Sequence, residues 1–250
     1  TSTVTITGGI GGDATGKNGG AALFDGDGTV SVLGLTAIAG NGSTAGVTGD
    51  GGAASIDQEG NAVFGTGGLT ITGGNGGSHS TAAKVGGNAS ANFAGTVTST
   101  GSINLTGGNG GSNTGDNGGT SASVFVGAVT GTDQTMTITG GNGSTAGGDG
   151  GNASASLTVS SEITTIVLDD GTTSGGGNSD VAGTATLNVI GGAANTVTGA
   201  ITAASDGEGA IVVNNTTGGT TADDAIFAGA VGTATVSLKS ITQTDGNKVK

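Results

Sequence analysis

The residues best suited to bind a ligand are carboxylates in short polar turns. Asp25-Gly26-Asp27-Gly28 places two carboxylates one residue apart, and Asp223-Asp224 places two side by side. Ca²⁺ prefers carboxylate and carbonyl oxygens as ligands, and turns of this kind supply both. These residues are candidate calcium ligands, and the competing interpretation is that they are solvated turn carboxylates.

Asp13 is a further calcium candidate. The segment Gly8-Gly9-Ile10-Gly11-Gly12-Asp13 matches once the Gly-Gly-x-Gly-x-Asp unit that calcium-binding β-rolls repeat in tandem. A chain with 59 glycines in 250 residues produces an isolated match readily by chance. Asp169-Asp170 is a pair of the same kind, with no tandem repeat around it.

Catalytic groups are scarce. The one histidine, His79, lies in the glycine-rich segment Gly76-Gly77-Ser78-His79-Ser80, which predicts a loop residue and not a fixed general base. Glycoside hydrolysis needs two facing carboxylates, and the chain has no Arg, Tyr or Trp to hold a sugar beside them. We therefore expect a protein that is not an enzyme and holds no cofactor apart from the candidate Ca²⁺.

Charge excludes further classes of partner. The net charge is −13 and only five residues are basic, whereas nucleic-acid binding needs many cations to displace phosphate counterions. No run of about 18 apolar residues is present, so no membrane insertion is expected in this segment. The first residue is Thr1 and no leader-like segment follows it, which favours a processed chain or a piece of a longer one.

The elements that position these residues repeat about every 34 residues. The phrase apolar-Thr-apolar-Thr-Gly-Gly-Asn-Gly recurs, and its next-to-last residue falls at positions 10, 41, 75, 109 and 142. A second Gly-Gly marker keeps step with it, at 19–20, 51–52, 86–87, 118–119 and 150–151. Two markers in step indicate a stack of similar units, each of which buries its apolar face against its neighbours.

Each unit is predicted to consist of short strands on either side of a glycine-rich excursion. The segments 69–72, 89–93, 95–100 and 153–159 alternate apolar and polar residues, which is the period of a β-strand. After residue 160 the predicted strands are 163–168, 185–190, 210–213 and 234–238. The glycines of the excursions either supply turns with positive φ or form packed, extended chains like polyglycine II.

A change in composition and repeat pattern divides the chain near residue 160. Residues 1–160 form the Gly-rich repeat region of about five units, and residues 161–250 form a simpler β-repeat continuation of the solenoid. The second region, in its segments 194–204, 209–216 and 226–232, resembles the bacterial β-strand-repeat surface proteins. These include autotransporter passengers, haemagglutinin-like adhesins and some S-layer proteins. The glycine-dense first region departs from that pattern.

The resemblance implies an all-β parallel β-solenoid, export and a role at the cell surface. We therefore predict a non-enzymatic extracellular structural protein that forms or decorates a surface assembly such as an S-layer, matrix fibre or filament. Its expected partners are copies of itself in an oligomer or polymer. The alternative is an adhesin whose Gly-rich loops contact glycans or cell surfaces.

Two further patterns have less specific interpretations. Outward Thr residues at 5, 7, 70, 72, 137 and 139 predict a hydroxyl array like those of ice-binding solenoids, interrupted at Asn104 and in the coil of Thr36. Thr also favours exposed strand faces through its propensity alone. Asn-x-Ser/Thr triplets occur at Asn41, Asn88, Asn104, Asn142, Asn152, Asn214 and Asn215, a number that composition explains without glycosylation.

Overall fold

The chain folds into β-strands joined by turns and extended segments. The structure is a computed structural model that describes residues 2–12, 17–43, 49–77, 84–112, 115–125, 127–131, 134–144, 146–158, 161–171, 185–190, 195–205, 207–214 and 225–243. Within these ranges there is no helix long and apolar enough to cross a membrane. The strands are β1 (Thr3–Thr7), β2 (Ala22–Gly26), β3 (Val30–Ile38), β4 (Ala54–Gln58), β5 (Ala62–Thr72), β6 (Ala89–Phe93), β7 (Val97–Ser99), β8 (Ile103–Thr106), β9 (Ser121–Phe125), β10 (Val129–Thr130), β11 (Thr135–Thr139), β12 (Ala153–Leu157), β13 (Thr165–Asp169), β14 (Ala185–Ile190), β15 (Asn195–Val197), β16 (Ala200–Ala203), β17 (Glu208–Asn214), β18 (Ala225–Phe227) and β19 (Leu238–Gln243).

Two long parallel sheets run the length of the stack. Sheet A has the order β1-β3-β5-β8-β11-β13-β16, and sheet B has the order β2-β4-β6-β9-β12-β14-β17-β19. Neighbours within each sheet come from successive coils, and every pairing is parallel. The predicted parallel β-solenoid is thus confirmed, with about six turns and a repeat of about 32 residues.

A third, narrower face closes each coil between sheet B and sheet A. The first residues of β3 and β5 lie on it, and Val30, Ala62, Val97 and Val129 stack there in register. Bridges continue the row through Ser161 to Val197. The chain bends from this face into sheet A near Gly34, where the register of β3 against β5 shifts.

The core is filled mainly by aliphatic side chains, with a few phenylalanine rings. In sheet A, Leu35, Leu69, Ile103 and Met136 stack directly over one another and are fully buried. In sheet B, one inward row is largely alanine, and the other two carry larger side chains such as Ile56, Phe93 and Leu157. The largest buried groups are Phe64, Phe93 and Phe125, with the rings of Phe93 and Phe125 stacked at 5.4 Å between centroids.

Of the eight segments predicted as strands, seven match strands of the structure. The predicted segments 69–72, 89–93, 95–100 and 153–159 overlap β5, β6, β7 and β12, and 185–190 coincides with β14. The ladders also continue beyond residue 160, because β11 pairs with β13 and β12 pairs with β14. The division of the chain at that residue stays a prediction.

The strand predicted over 234–238 is wrong, since β19 begins only at Leu238. The hydroxyl oxygen of Thr233 accepts hydrogen bonds from the backbone N–H groups of Thr235 and Val236, at 3.3 and 2.9 Å. Side-chain capture of these donors competes with strand pairing. Gly232, at φ 74°, turns the chain immediately before this motif.

Candidate functional site

Each excursion leaves sheet A and returns to sheet B as two extended legs. We call the residues that follow a sheet A strand the outgoing leg and the residues that precede a sheet B strand the return leg. The outgoing legs are 8–11, 39–43, 73–77, 107–111 and 140–144, and the return legs are 18–21, 50–53, 85–88, 117–120 and 149–152.

Backbone hydrogen bonds in the legs repeat every three residues. In the third coil, Gly73 donates along the stack to the carbonyl of Thr106 at 3.0 Å, and Gly76 donates likewise to Asn109 at 2.9 Å. Between them, Gly74 donates sideways to the carbonyl of Gly52 on a return leg, at 2.9 Å. A three-residue period without bonds inside the leg is the pattern of polyproline II, whose backbone groups must be satisfied by neighbouring chains.

The sideways bonds join the two sets of legs into one continuous line. Each glycine of this line donates to the glycine before it, at 2.6 to 3.0 Å. The line therefore alternates between outgoing and return legs and ties every coil to the next. We call it the glycine seam; it consists of Gly9, Gly20, Gly40, Gly52, Gly74, Gly87, Gly108, Gly119, Gly141, Gly151 and Gly171.

Glycine is required in the seam for close approach and not for an unusual backbone angle. A Cβ added at Gly108 would lie well inside 3.0 Å of the carbonyl oxygen of Gly74, a distance that real Cβ atoms essentially never show. A Cβ at Gly9, the same position in the first described coil, would meet nothing within 4 Å. Among the described glycines, those with positive φ are Gly68, Gly115, Gly147, Gly207, Gly209 and Gly232, none of which lies in the seam. In the described legs, the prediction of packed extended chains is therefore confirmed, and the alternative of glycine turns with positive φ is wrong.

Asparagine occupies the outward position beside the seam. The side-chain Oδ1 of Asn41 accepts the N–H of Asn75 in the next coil at 2.8 Å, and the N–H of Gly42 donates to the carbonyl of that same Asn75 at 2.8 Å. The Asn and the following Gly thus hold both backbone groups of one residue. We call this arrangement the Asn–Gly clamp.

Five clamps have the same geometry, and all ten of their bonds are 2.8 to 2.9 Å long. A further clamp uses a carboxylate, because Oδ1 of Asp50 accepts from Val85 at 3.1 Å while Gly51 donates to Val85 at 2.9 Å. The five are Asn18–Gly19 on Asp50, Asn41–Gly42 on Asn75, Asn75–Gly76 on Asn109, Asn109–Gly110 on Asn142 and Asn117–Gly118 on Asp149.

Sequence reasoning missed the clamps. Two of their residues, Asn41 and Asn142, were considered only as markers of the repeat and within Asn-x-Ser/Thr triplets. The available signal was the recurrence of Asn-Gly on both legs at the repeat spacing, which the positions 41, 75, 109 and 142 already contain.

The calcium candidates are only partly within the described residues. Asp25 and Asp27 are exposed at the end of β2, and Asp25 lies beside Asp57 of β4 in register. In the described ranges, no three His, Cys, Asp or Glu side chains are grouped so that they could hold a metal ion. Asp13, Asp223 and Asp224, like His79, lie outside the described residues, and all the calcium assignments stay predictions.

Asp169 and Asp170 lie where the glycine seam ends. Asp170 follows β13 at the position that Gly73, Gly107 and Gly140 occupy in earlier coils. Burial, and then the carboxylates of Glu208 and Asp169, raise the pKa of Asp170 to about 6, although Lys239 opposes the rise. Burial and Glu208 also raise the pKa of Asp169, while a hydrogen bond with Thr139 lowers it.

A cavity opens beside the carboxyl group of Asp170. Its volume is about 270 Å³, and it lies between the residue that follows β13 and the sheet B strands β14, β17 and β19. Its lining mixes one carboxylate and one ammonium group with small side chains and backbone: Asp170, Ala185, Thr186, Gly209, Ala210, Lys239 and Ser240.

The outer face of sheet B carries a shallow groove. Its volume is about 330 Å³, and it crosses β4, β6 and β9. On its floor, Nδ2 of Asn92 donates to Oδ1 of Asp57 at 3.0 Å. A paired amide and carboxylate of this kind offers both donors and acceptors to a polar ligand.

The outer face of sheet A carries the threonine rows. Thr5, Thr36 and Thr70 stack in register, so the coil of Thr36 continues that row and does not interrupt it as predicted. Asn104 follows Thr70 and interrupts the row, as expected, and Ile38 interrupts the neighbouring row between Thr7 and Thr72.

Comparisons with models of protein families, with characterised proteins and with solved structures give no match to this chain. Its function has therefore to be argued from the stacked coils, the seam and the two outer faces themselves.

Proposed function

We propose that this chain is a non-enzymatic structural protein of the cell surface, which forms or decorates an extracellular assembly such as an S-layer, a matrix fibre or a filament. The observation that carries the proposal is the unbroken hydrogen bonding from coil to coil. Sheet A, sheet B and the glycine seam each bond every described coil to the next between β1 and Gly171.

Such bonding gives a stiff and protected rod. An extended glycine chain alone is flexible and exposes its backbone to proteases, but here the leg glycines are held on two sides by other coils. Because each coil contacts mainly its neighbours, stability grows with the number of coils. A structural element of a surface layer needs this combination of length, stiffness and resistance to proteolysis.

The edges of the stack suit growth by addition. Strands β1 and β2 are the outermost strands of their sheets and pair on one side only within the described part. An open strand edge pairs readily with another chain. A second copy or further coils can extend the stack there, which supports the expected polymer.

Surface location is supported by chemistry and by resemblance. The chain is acidic, with a net charge of −13, and its outer faces carry small polar side chains. The segments after residue 160 resemble autotransporter passengers, haemagglutinin-like adhesins and S-layer-type proteins. Both observations support the proposal that the protein acts outside the cell.

Imaging tests the structural role directly. Purified protein is examined by negative-stain microscopy over a range of concentrations, with and without a calcium chelator. The proposal expects rods or regular polymers whose length increases with concentration. Compact particles at every concentration contradict it. A polymer that dissolves in chelator assigns calcium to the contacts between copies.

An adhesin is the second candidate, and the groove on sheet B favours it. The Asp57–Asn92 pair can bind sugar hydroxyls, and the exposed apolar side chain of Val124 lines the same groove. A glycan microarray tests this role with Asp57→Ala and the matched control Asp25→Ala, which lies one coil away on the same face. Glycan binding that Asp57→Ala abolishes and Asp25→Ala preserves supports the adhesin; an array without binding contradicts it.

A further inference from the structure

The Asn–Gly clamps hold a chemically reactive dipeptide in an unreactive form. In a flexible chain, the backbone nitrogen of the residue after Asn attacks the side-chain Cγ. The N–Cγ bond forms, the Cγ–Nδ2 bond breaks, and ammonia leaves with the amide proton. Water then opens the cyclic imide at either carbonyl and gives Asp or isoAsp. Glycine allows this attack most easily because it has no Cβ to obstruct its nitrogen.

In the clamp, both reacting groups are occupied. At Asn75–Gly76, the nucleophilic nitrogen of Gly76 donates its proton to the carbonyl of Asn109 at 2.9 Å. The side chain of Asn75 is fixed as well, because its Oδ1 accepts the N–H of Asn109 at 2.9 Å. Attack requires loss of the amide proton and rotation of the nitrogen toward Cγ, so both bonds must break first.

We propose that the five clamped Asn–Gly steps are latent modification sites, inert while the coils are stacked and converted to Asp or isoAsp, with loss of ammonia, when the coils separate. The reaction needs only water, so no enzyme or cofactor is involved. The proposal does not depend on whether the protein polymerises or binds glycans.

The two products have different consequences for restacking. Asp at a clamp position keeps an acceptor oxygen, and Asp50 shows that a carboxylate can hold the next coil in this way. IsoAsp routes the main chain through the side chain and adds a backbone atom, which destroys the three-residue period of the leg. A coil that has reacted to isoAsp therefore cannot close its clamp again.

The test measures deamidation site by site on the full chain. Protein is incubated at mildly alkaline pH, folded or unfolded in guanidinium chloride, and peptide mapping by mass spectrometry gives a rate for each Asn. In the unfolded chain, the five Asn–Gly steps should react faster than Asn61 and Asn88, which precede Ala62 and Ala89. In the folded chain, the Asn–Gly steps should slow by about tenfold or more, since even 1.4 kcal/mol of opening free energy gives tenfold protection.

A pair of variants links protection to the clamp. Gly108→Ala displaces the leg that contains Asn109, the residue held by the Asn75–Gly76 clamp, and should raise the folded-state rate at Asn75. Gly9→Ala should leave that rate unchanged, because its Cβ meets nothing. If Gly108→Ala does not fold, wild-type protein in increasing guanidinium concentrations below its unfolding transition provides the same comparison.

Three results overturn the proposal. The first is an equal rate at the clamped steps in folded and unfolded protein. The second is an unfolded chain in which Asn–Gly steps react no faster than Asn61 and Asn88. The third is a Gly108→Ala protein, or a partly opened wild type, in which the rate at Asn75 stays at its folded value.

Discussion

Replacing one seam glycine by alanine tests the packing of the whole excursion. In Gly108→Ala, the new Cβ falls well inside 3.0 Å of the carbonyl oxygen of Gly74, which is backbone and cannot rotate away. The outgoing leg must move. Its two sideways bonds, from Gly108 to the carbonyl of Gly87 at 2.8 Å and from Gly119 to the carbonyl of Gly108 at 2.7 Å, then lengthen or break.

The magnitude follows from those two bonds. Leaving a buried backbone donor or acceptor unpaired costs about 1 to 3 kcal/mol for each bond. Restricting the unfolded chain by Gly→Ala returns about 0.4 to 1 kcal/mol. The free energy of unfolding should therefore fall by about 1 to 5.5 kcal/mol, which for a chain of this size lowers the melting temperature by roughly 2 to 20 °C.

Thermal and urea unfolding followed by circular dichroism measure the effect, and Gly9→Ala is the matched control. Both variants change the same position of the motif, but only one has a carbonyl in front of its Cβ. Gly9→Ala should stay within about 0.5 kcal/mol of wild type, as surface substitutions usually do. Equal melting of the two variants, whether both stable or both destabilised, would refute the steric account of the seam.

Other predictions follow from single features. Asn75→Ala removes the acceptor for the N–H of Asn109 and should cost about 1 kcal/mol of unfolding free energy, whereas Asn75→Asp should cost less; urea melts that show the reverse order contradict the clamp. Phe93→Ala removes the central ring between Phe64 and Phe125 and should cost about 3 to 5 kcal/mol in the same assay; a loss below 1 kcal/mol would mean that the core collapses around the gap. Asp170 has a folded pKa of about 6, above its ordinary value of 3.8, so the folded state binds the extra proton and stability should fall as pH rises through 6; Asp170→Asn should flatten that dependence of the melting temperature on pH.

The strands were predictable because the alternation of residues along a strand maps directly onto inside and outside. The inward row Leu69, Ile103 and Met136 and the outward Thr70 and Thr137 can be recognised from the order of residue types alone. Repeat spacing then fixes which strands are neighbours. The prediction of a strand over 234–238 is wrong because the hydroxyl oxygen of Thr233 accepts hydrogen bonds from backbone N–H groups that a strand would use for pairing.

The role of the excursion glycines could not be decided in the same way. Glycine is required both where φ must be positive and where a Cβ has no room. Because the same residue type meets both requirements, the sequence alone does not distinguish them. The difference lies in contacts between residues far apart in the chain, such as Gly87 with Gly52. The clamps were missed for a related reason, because the partner of Asn41 is a backbone group 34 residues away.

The opposed directions of the leg hydrogen bonds have an electrostatic consequence. The N–H of Gly73 points toward the later coil, whereas the N–H groups of Gly74 and Asn75 point toward the earlier one. Their peptide dipoles therefore partly cancel within each leg, unlike those of an α-helix, which add along its axis. Adding coils therefore builds up less dipole along the stack than lengthening an α-helix by the same number of peptides does.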